Sequence, residues 1–164
     1  MDDLMRSTGA HVRALTTPSF IHNLPRQVAV IRVRGAFFSP IPPDRRMSFV
    51  ATRDIAAVAA ELLVDDTWSG QDDRPILGPE DLSFRQMASI ITEVSRLPVE
   101  AQQISDEVYR EGFMNRGYSP EMAQGMLDMV TAKENGLDAG VARSAKTYWP
   151  TSFTQWCTEV LEPA

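Results

Sequence analysis

The side chains able to do chemistry in this sequence are few. Histidine occurs as His11 and His22, and the single thiol is Cys157. Two imidazoles and one sulfur are a poor donor set for a tetrahedral zinc site, so no metal ligands are expected. Ser19 and His22 stand close enough to meet across one turn of backbone. Ser19 lacks a strained G-x-S-x-G elbow, and His22 reads better as a polar residue at a helix start. Acidic pairs stand at Asp2-Asp3, Asp65-Asp66, Asp72-Asp73 and Glu80-Asp81. General acid–base work needs carboxylates in a desolvated cleft that drives their pKa values apart. These pairs fall in expected turns and helix starts, where water reaches them. Cys157 lies on an apolar stripe beside Trp156, the setting of a structural thiol. Phosphate chemistry would need a glycine cradle. The chain has no G-x-G-x-x-G, and although Gly112 and Gly117 share the outer spacing of a Walker loop, Tyr118 stands where lysine is required. No catalytic residue is assigned.

The elements that would position these groups alternate between strand and helix. Asp2 to Thr8 reads as the end of a helix closed by Gly9, and Val12 to Leu15 as a short strand, an order that matches the return half of a βαβ crossover. Phe20, Ile21, Leu24 and Val28 have helical spacing, which predicts a helix to about Ile31, followed by an extended piece at Ala36-Phe37-Phe38. Ser39-Pro40-Ile41-Pro42-Pro43-Asp44 is a stiff loop. Thr52 is the expected N-cap of a helix whose stripe is Ile55, Val58, Ala59, Leu62 and Leu63. Arg74 to Gly78 reads as a strand. Ser83-Phe84-Arg85-Gln86 is a capping box, with Leu82 and Met87 at the positions of a hydrophobic staple. Val99 to Ile104 is a further strand candidate. A Ser105-capped helix is expected to about Arg116, and Ser119-Pro120-Glu121 opens another with a Met122, Met126, Met129 and Val130 stripe. Such a stripe reads as core more readily than as an adaptable binding groove. Pro150-Thr151 opens the last helix, with Phe153, Trp156, Cys157, Val160 and Leu161 on one side.

Composition sets outer limits. The chain has 164 residues, a net charge of −6 and 43% hydrophobic residues. A chain of this length and composition is expected to fold around a real core. The acidic balance argues against a nucleic-acid scaffold; Arg32, Arg34, Arg45, Arg46 and Arg53 read as a solvated face. No apolar run reaches the roughly 20 residues of a membrane span, the N-terminus lacks a signal-peptide layout, and the lone cysteine suits a reducing compartment. A cytoplasmic protein without membrane or nucleic-acid contact is the expectation.

Several stretches together resemble the NmrA-like family of atypical short-chain dehydrogenase/reductases. Ser48-Phe49-Val50-Ala51-Thr52-Arg53-Asp54-Ile55-Ala56-Ala57-Val58-Ala59 resembles the family's strand-to-helix V-x-x-x-D-I-A-x-V-A segment. Leu77-Gly78-Pro79-Glu80-Asp81-Leu82-Ser83 is similar to its strand-to-helix turn, and Pro150 to Trp156 to its C-terminal ending. Pro18-Ser19-Phe20-Ile21-His22-Asn23 resembles the family's loop near the nicotinamide, with Thr17 standing where arginine is usual.

The resemblance implies an α/β fold: the C-terminal part of a Rossmann-like doubly wound parallel sheet plus a mostly helical C-terminal lobe. Residues 1–64 would be the remnant of the Rossmann sheet and 65–164 the lobe over the substrate. It implies NAD(P) as cofactor, with Pro18, Phe20 and Asn23 on the nicotinamide side, and an oxidoreductase or redox-sensing regulator acting on an unidentified small molecule. The glycine fingerprint of complete members would precede Met1, so the chain is expected to be a portion that binds the dinucleotide weakly and has no dehydrogenase activity alone. Its sheet edge would then invite self-association or pairing with an N-terminal half. The alternative from a different class is a free-standing interaction or small-ligand-binding module that dimerises through that edge.

Overall fold

The computed structural model describes residues Asp2–Val160 and has an α/β architecture. A short helix α1 (Asp2–Ser7) stops at Gly9, whose φ of 76° lies in the left-handed region. Strand β1 (Val12–Thr16) follows, then β2 (Ser19–Phe20), a 3₁₀ segment (Ile21–Gln27), α2 (Val28–Arg34) and β3 (Ala36–Ser39). Strand β4 (Arg46–Val50) runs into α3 (Thr52–Val64), and β5 (Gln71–Pro75) leads to β6 (Asp81–Ser83) and α4 (Phe84–Ser95). Then follow β7 (Glu100–Gln103), α5 (Asp106–Met114), α6 (Pro120–Glu134) and α7 (Phe153–Val160).

The strands of the described residues form three small sheets. β1 pairs parallel with β5, from Val12 opposite Gln71 to Thr16 opposite Pro75. β2 pairs parallel with β4, which also takes β6 antiparallel. β3 pairs parallel with β7. Parallel neighbours need long crossovers, and the intervening helices supply them.

The main core gathers Ile21, Leu24, Phe37, Phe49, Ile91, Phe153 and Trp156. A smaller cluster of Val50, Val58 and Ile76 is covered by Leu15, Ile55, Leu62 and Trp149. At Gly78 two segments meet too closely for any side chain. Its N–H donates to the Phe49 carbonyl at 2.9 Å, and a Cβ there would lie 2.2 Å from that oxygen. Leu77 bridges to Tyr148 on its other side, so this turn ties β4 to the segment before α7.

The strongest local signals hold in three dimensions. The Ser83–Gln86 capping box is complete, with Leu82 and Met87 buried beside it. Ser105 and Ser119 cap α5 and α6, and Pro120 opens α6. Other expectations change. The helix expected from Phe20 to Ile31 divides into the 3₁₀ segment and α2, because Pro25 removes an N–H needed for an unbroken α ladder. Ala51, not Thr52, is the N-cap of α3; the Thr52 hydroxyl bonds His22 instead. The strand expected at Arg74–Gly78 lies earlier, and takes in Asp72 and Asp73. Met122 and Met129 are exposed, and Ala123, Leu127 and Val130 form the buried face of α6. In α3, Leu63 is 86% exposed and Val58 carries the buried contact. α5 ends at Met114 and α7 begins at Phe153. Leu161, expected on the stripe of α7, falls outside the described residues. Among the described residues, no helix is long and apolar enough to cross a membrane.

Candidate functional site

In open α/β sheets ligands settle beyond the carboxyl ends of parallel strands. Here that place is the loop between β1 and α2. Pro18 is buried and fixes its own φ as the chain leaves β1. Ser19 and Phe20 then add to β4, opposite Phe49 and Val50. Ile21 and Leu24 anchor the following 3₁₀ turn in the core, at 2% and 6% exposure. Phe20 and Asn23 are left facing outward. Phe20, still extended at φ −83° and ψ 131°, is the N-cap of the 3₁₀ segment, and Asn23 lies in its first turn. The loop thus leaves an aromatic ring and a carboxamide exposed within four residues of each other.

His22 fastens the loop. Its Nδ1 lies 3.1 Å from Thr52 Oγ1, and the Trp156 indole N–H donates to its Nε2 at 3.2 Å. The rings of His22 and Trp156 meet edge-on, with centroids 5.4 Å apart. Because Nε2 accepts, a neutral imidazole here must carry its proton on Nδ1 and donate it to Thr52. Both nitrogens are thus engaged, and none is available to activate Ser19; the Ser19–His22 pairing does not form. Burial and the nearby Arg53 guanidinium hold the His22 pKa below its ordinary 6.5.

That shift has a measurable consequence. Below about pH 6.5 the unfolded chain binds a proton at His22 that the folded chain refuses, so stability falls as pH drops through that window. Urea unfolding midpoints should decline between pH 7.5 and pH 5.5, and His22→Gln should flatten the decline. An unchanged slope in that variant would show that His22 is not the group responsible.

The other fastening is Asp54, 5% exposed, whose carboxylate accepts from the Thr151 hydroxyl at 2.7 Å and from the Thr151 N–H at 3.3 Å. It ties the start of α3 to the approach of α7. Arg53, beside it, pairs with Glu159 on α7. Two stretches quoted for the resemblance, at Asp54 and at Thr151, are thus a single contact in space.

The arginines expected to form one solvated face separate. Arg32 and Arg34 are exposed on α2, Arg53 pairs as above, and Arg45 and Arg46 line a polar cavity with Arg143. Sequence reasoning had no means of finding the His22–Trp156 contact or the Arg143 contribution. The partners lie 134 and 95 positions apart, and no local pattern links them. Cys157 is fully buried, with its thiol pushed up to about 12 by desolvation, and is inert. Among the described residues, no group of His, Cys, Asp and Glu could hold a metal ion.

Among the described residues, no cradle for a diphosphate is found. A phosphate nest needs consecutive backbone N–H groups converging on one anion. The glycines with positive φ, at 9, 35, 70, 117, 136 and 140, sit singly in separate turns.

No protein-family model matches the chain. It is 28% identical over 124 residues to the NAD(P)H azoreductase of Xenophilus azovorans, an alignment covering 74% of this chain and 42% of that protein. Among solved structures, the NADPH-dependent quinone oxidoreductase of Escherichia coli, complexed with NADPH, superposes with a TM-score of 0.78 at 17% identity, over 98% of this chain and 57% of that one. The Citrobacter sp. triphenylmethane reductase complexed with NADP(H) gives 0.65 at 18% identity, over 86% and 49%. A nucleoside-diphosphate-sugar epimerase from Staphylococcus aureus gives 0.74 at 16% identity, over 95% and 55%. The chain spans about half the length of the proteins it matches. At these identities the superpositions establish the fold: an α/β arrangement of the kind found in these reductases.

Proposed function

We propose that the chain forms the nicotinamide-side and substrate-side part of an NmrA-like NAD(P)-binding oxidoreductase. The observation that carries this reading is the pinned loop beyond β1. It leaves Phe20 and Asn23 exposed, while Ile21, His22 and Leu24 hold it to the core. Phe20 would lie against the nicotinamide ring, Asn23 would bond its carboxamide, and Pro18 would set the direction of the loop. A bound nicotinamide nucleotide supplies a hydride. The substrate reading is a small hydride acceptor of the quinone or azo class, supported by the reductases the chain resembles. Their reductase activities also favour an oxidoreductase over a redox-sensing regulator. The described residues contribute no diphosphate nest, so the polypeptide by itself is proposed to hold a whole dinucleotide weakly and to lack dehydrogenase activity. β1 has one edge paired with β5. A further parallel strand, from a fuller Rossmann sheet, would add to the other.

Titration of isotope-labelled protein with reduced nicotinamide mononucleotide tests the reading. Saturable shifts are expected at the amides of Ser19 to Leu24, and Asn23→Ala should weaken binding about tenfold, the worth of one well-made amide hydrogen-bond pair. Adenosine 2′,5′-bisphosphate should shift none of these amides. Shifts confined to other regions, or unaffected by Asn23→Ala, would overturn the assignment.

A further inference from the structure

A cavity of about 160 Å³ lies between the amino end of β4 and the loop that follows α6. Four cationic side chains line it, Arg45, Arg46, Lys133 and Arg143, against two carboxylates, Asp81 and Asp138. Two of the cations are neutralised within the cavity. Lys133 pairs with Asp138 at 2.5 Å, and Arg143 with Asp81 at 2.5 Å. Arg45 and Arg46 form no such close pair, although Arg46 is near enough to Asp81 to help hold its pKa down. Arg45 donates to the Glu134 carbonyl at 2.7 Å and Arg46 to the Asp81 carbonyl at 2.8 Å. Neither joins an ion pair among the described residues. Asp44, next to Arg45 in sequence, is already held by Arg85 through two bonds of 2.6 and 2.9 Å.

We propose that this cavity binds the carboxylate of a compact aromatic acid. Four cationic side chains against two carboxylates, with Asp81 shared between Arg143 and the nearby Arg46, leave a surplus of positive charge around a small concave space in a chain whose net charge is −6. The overall composition therefore does not account for the local surplus. The carbonyl bonds orient each guanidinium before any ligand arrives and occupy only part of its five donors. Arg143 is fixed as well, by the Gly78 carbonyl at 2.8 Å and the Ser48 hydroxyl at 3.0 Å. Preorganised, charged donors of fork geometry match a planar carboxylate. Met47 and Leu77, both buried, supply an apolar wall for a ring. The proposal is independent of the nicotinamide reading, because the two sites share no residue.

Benzoate, benzamide and inorganic phosphate are the probes, followed by amide shifts at Arg45–Ser48 and 136–143. Benzoate should bind saturably at millimolar concentrations, and the Arg45→Gln/Arg46→Gln variant should bind it at least about tenfold more weakly. Both arginines are exposed, so the variant should keep the wild-type amide spectrum outside the cavity. Should its fold change, the wild-type protein provides the second test: benzoate affinity should fall on raising NaCl from 20 to 300 mM, as screening requires. Benzamide binding equal to benzoate would reduce the cavity to an apolar cleft. Phosphate binding more tightly than benzoate would rule out a carboxylate preference, and absence of saturable benzoate shifts would refute the site.

Discussion

Trp156→Ala should lower the thermal midpoint by roughly 10 °C, the equivalent of about 3–5 kcal/mol in a chain of this size. Trp156 is 0% exposed, stacks on Phe153 with centroids 5.9 Å apart, and belongs to the main core. Truncation to alanine would leave a cavity that α4 and α7 can only partly close. It would also remove the N–H that His22 Nε2 accepts. Trp156→Phe separates the two effects. It keeps most of the packing but strands the imidazole nitrogen, at a cost of about 1–3 kcal/mol. Without the indole donor facing it, Nε2 takes up a proton more readily, so the His22 pKa should rise towards its ordinary value. Calorimetric unfolding and imidazole NMR titration check the pair. A Trp156→Ala protein within 1 kcal/mol of wild type would mean that the α7 contact contributes little to the fold.

Gly78→Ala is expected to be nearly as damaging, for a steric reason. The new methyl would lie 2.2 Å from the Phe49 carbonyl oxygen, a backbone atom that cannot swing aside. Either the 2.9 Å bond from the Gly78 N–H to that carbonyl breaks, or the β4 end moves away from Leu77. The cost should reach about 3 kcal/mol, the upper part of the range for overpacking. Arg143 donates to the Gly78 carbonyl, so the same change should also disturb the polar cavity. Urea unfolding of Gly78→Ala, together with its benzoate affinity, would show both losses. A neutral effect on stability would contradict the close approach at this turn.

Some of this was legible before any coordinates. Helix starts write themselves locally: Ser83 with Gln86, Ser105, and Ser119 with Pro120 satisfy orphan amides within a few residues, and each holds. The loop from Pro18 to Asn23 was marked by resemblance, and the structure shows how its residues divide between anchoring and display. What the sequence could not reveal is set by distant packing. Thr52 has every property of an N-cap, yet its hydroxyl is drawn to His22, and Ala51 takes the position. The methionines of α6 have helical spacing, but Met122 and Met129 are exposed, and Ala123, Leu127 and Val130 form the buried face of a helix that packs on α5. The charge surplus around Arg45 and Arg46 depends on which carboxylates are already taken. That accounting needs Arg85 on α4 and Asp138 beyond α6, far along the chain.

The central claim is that these residues supply the nicotinamide end of a dinucleotide site and not its diphosphate end. Calorimetric titration of the 164-residue protein with NADPH and, separately, with reduced nicotinamide mononucleotide tests it most directly. The two dissociation constants should agree within about tenfold, since the adenosine and diphosphate groups find no additional partners worth more than about 1.4 kcal/mol. Stoichiometric NADPH binding at micromolar concentration, hundreds of times tighter than the mononucleotide, would contradict the account.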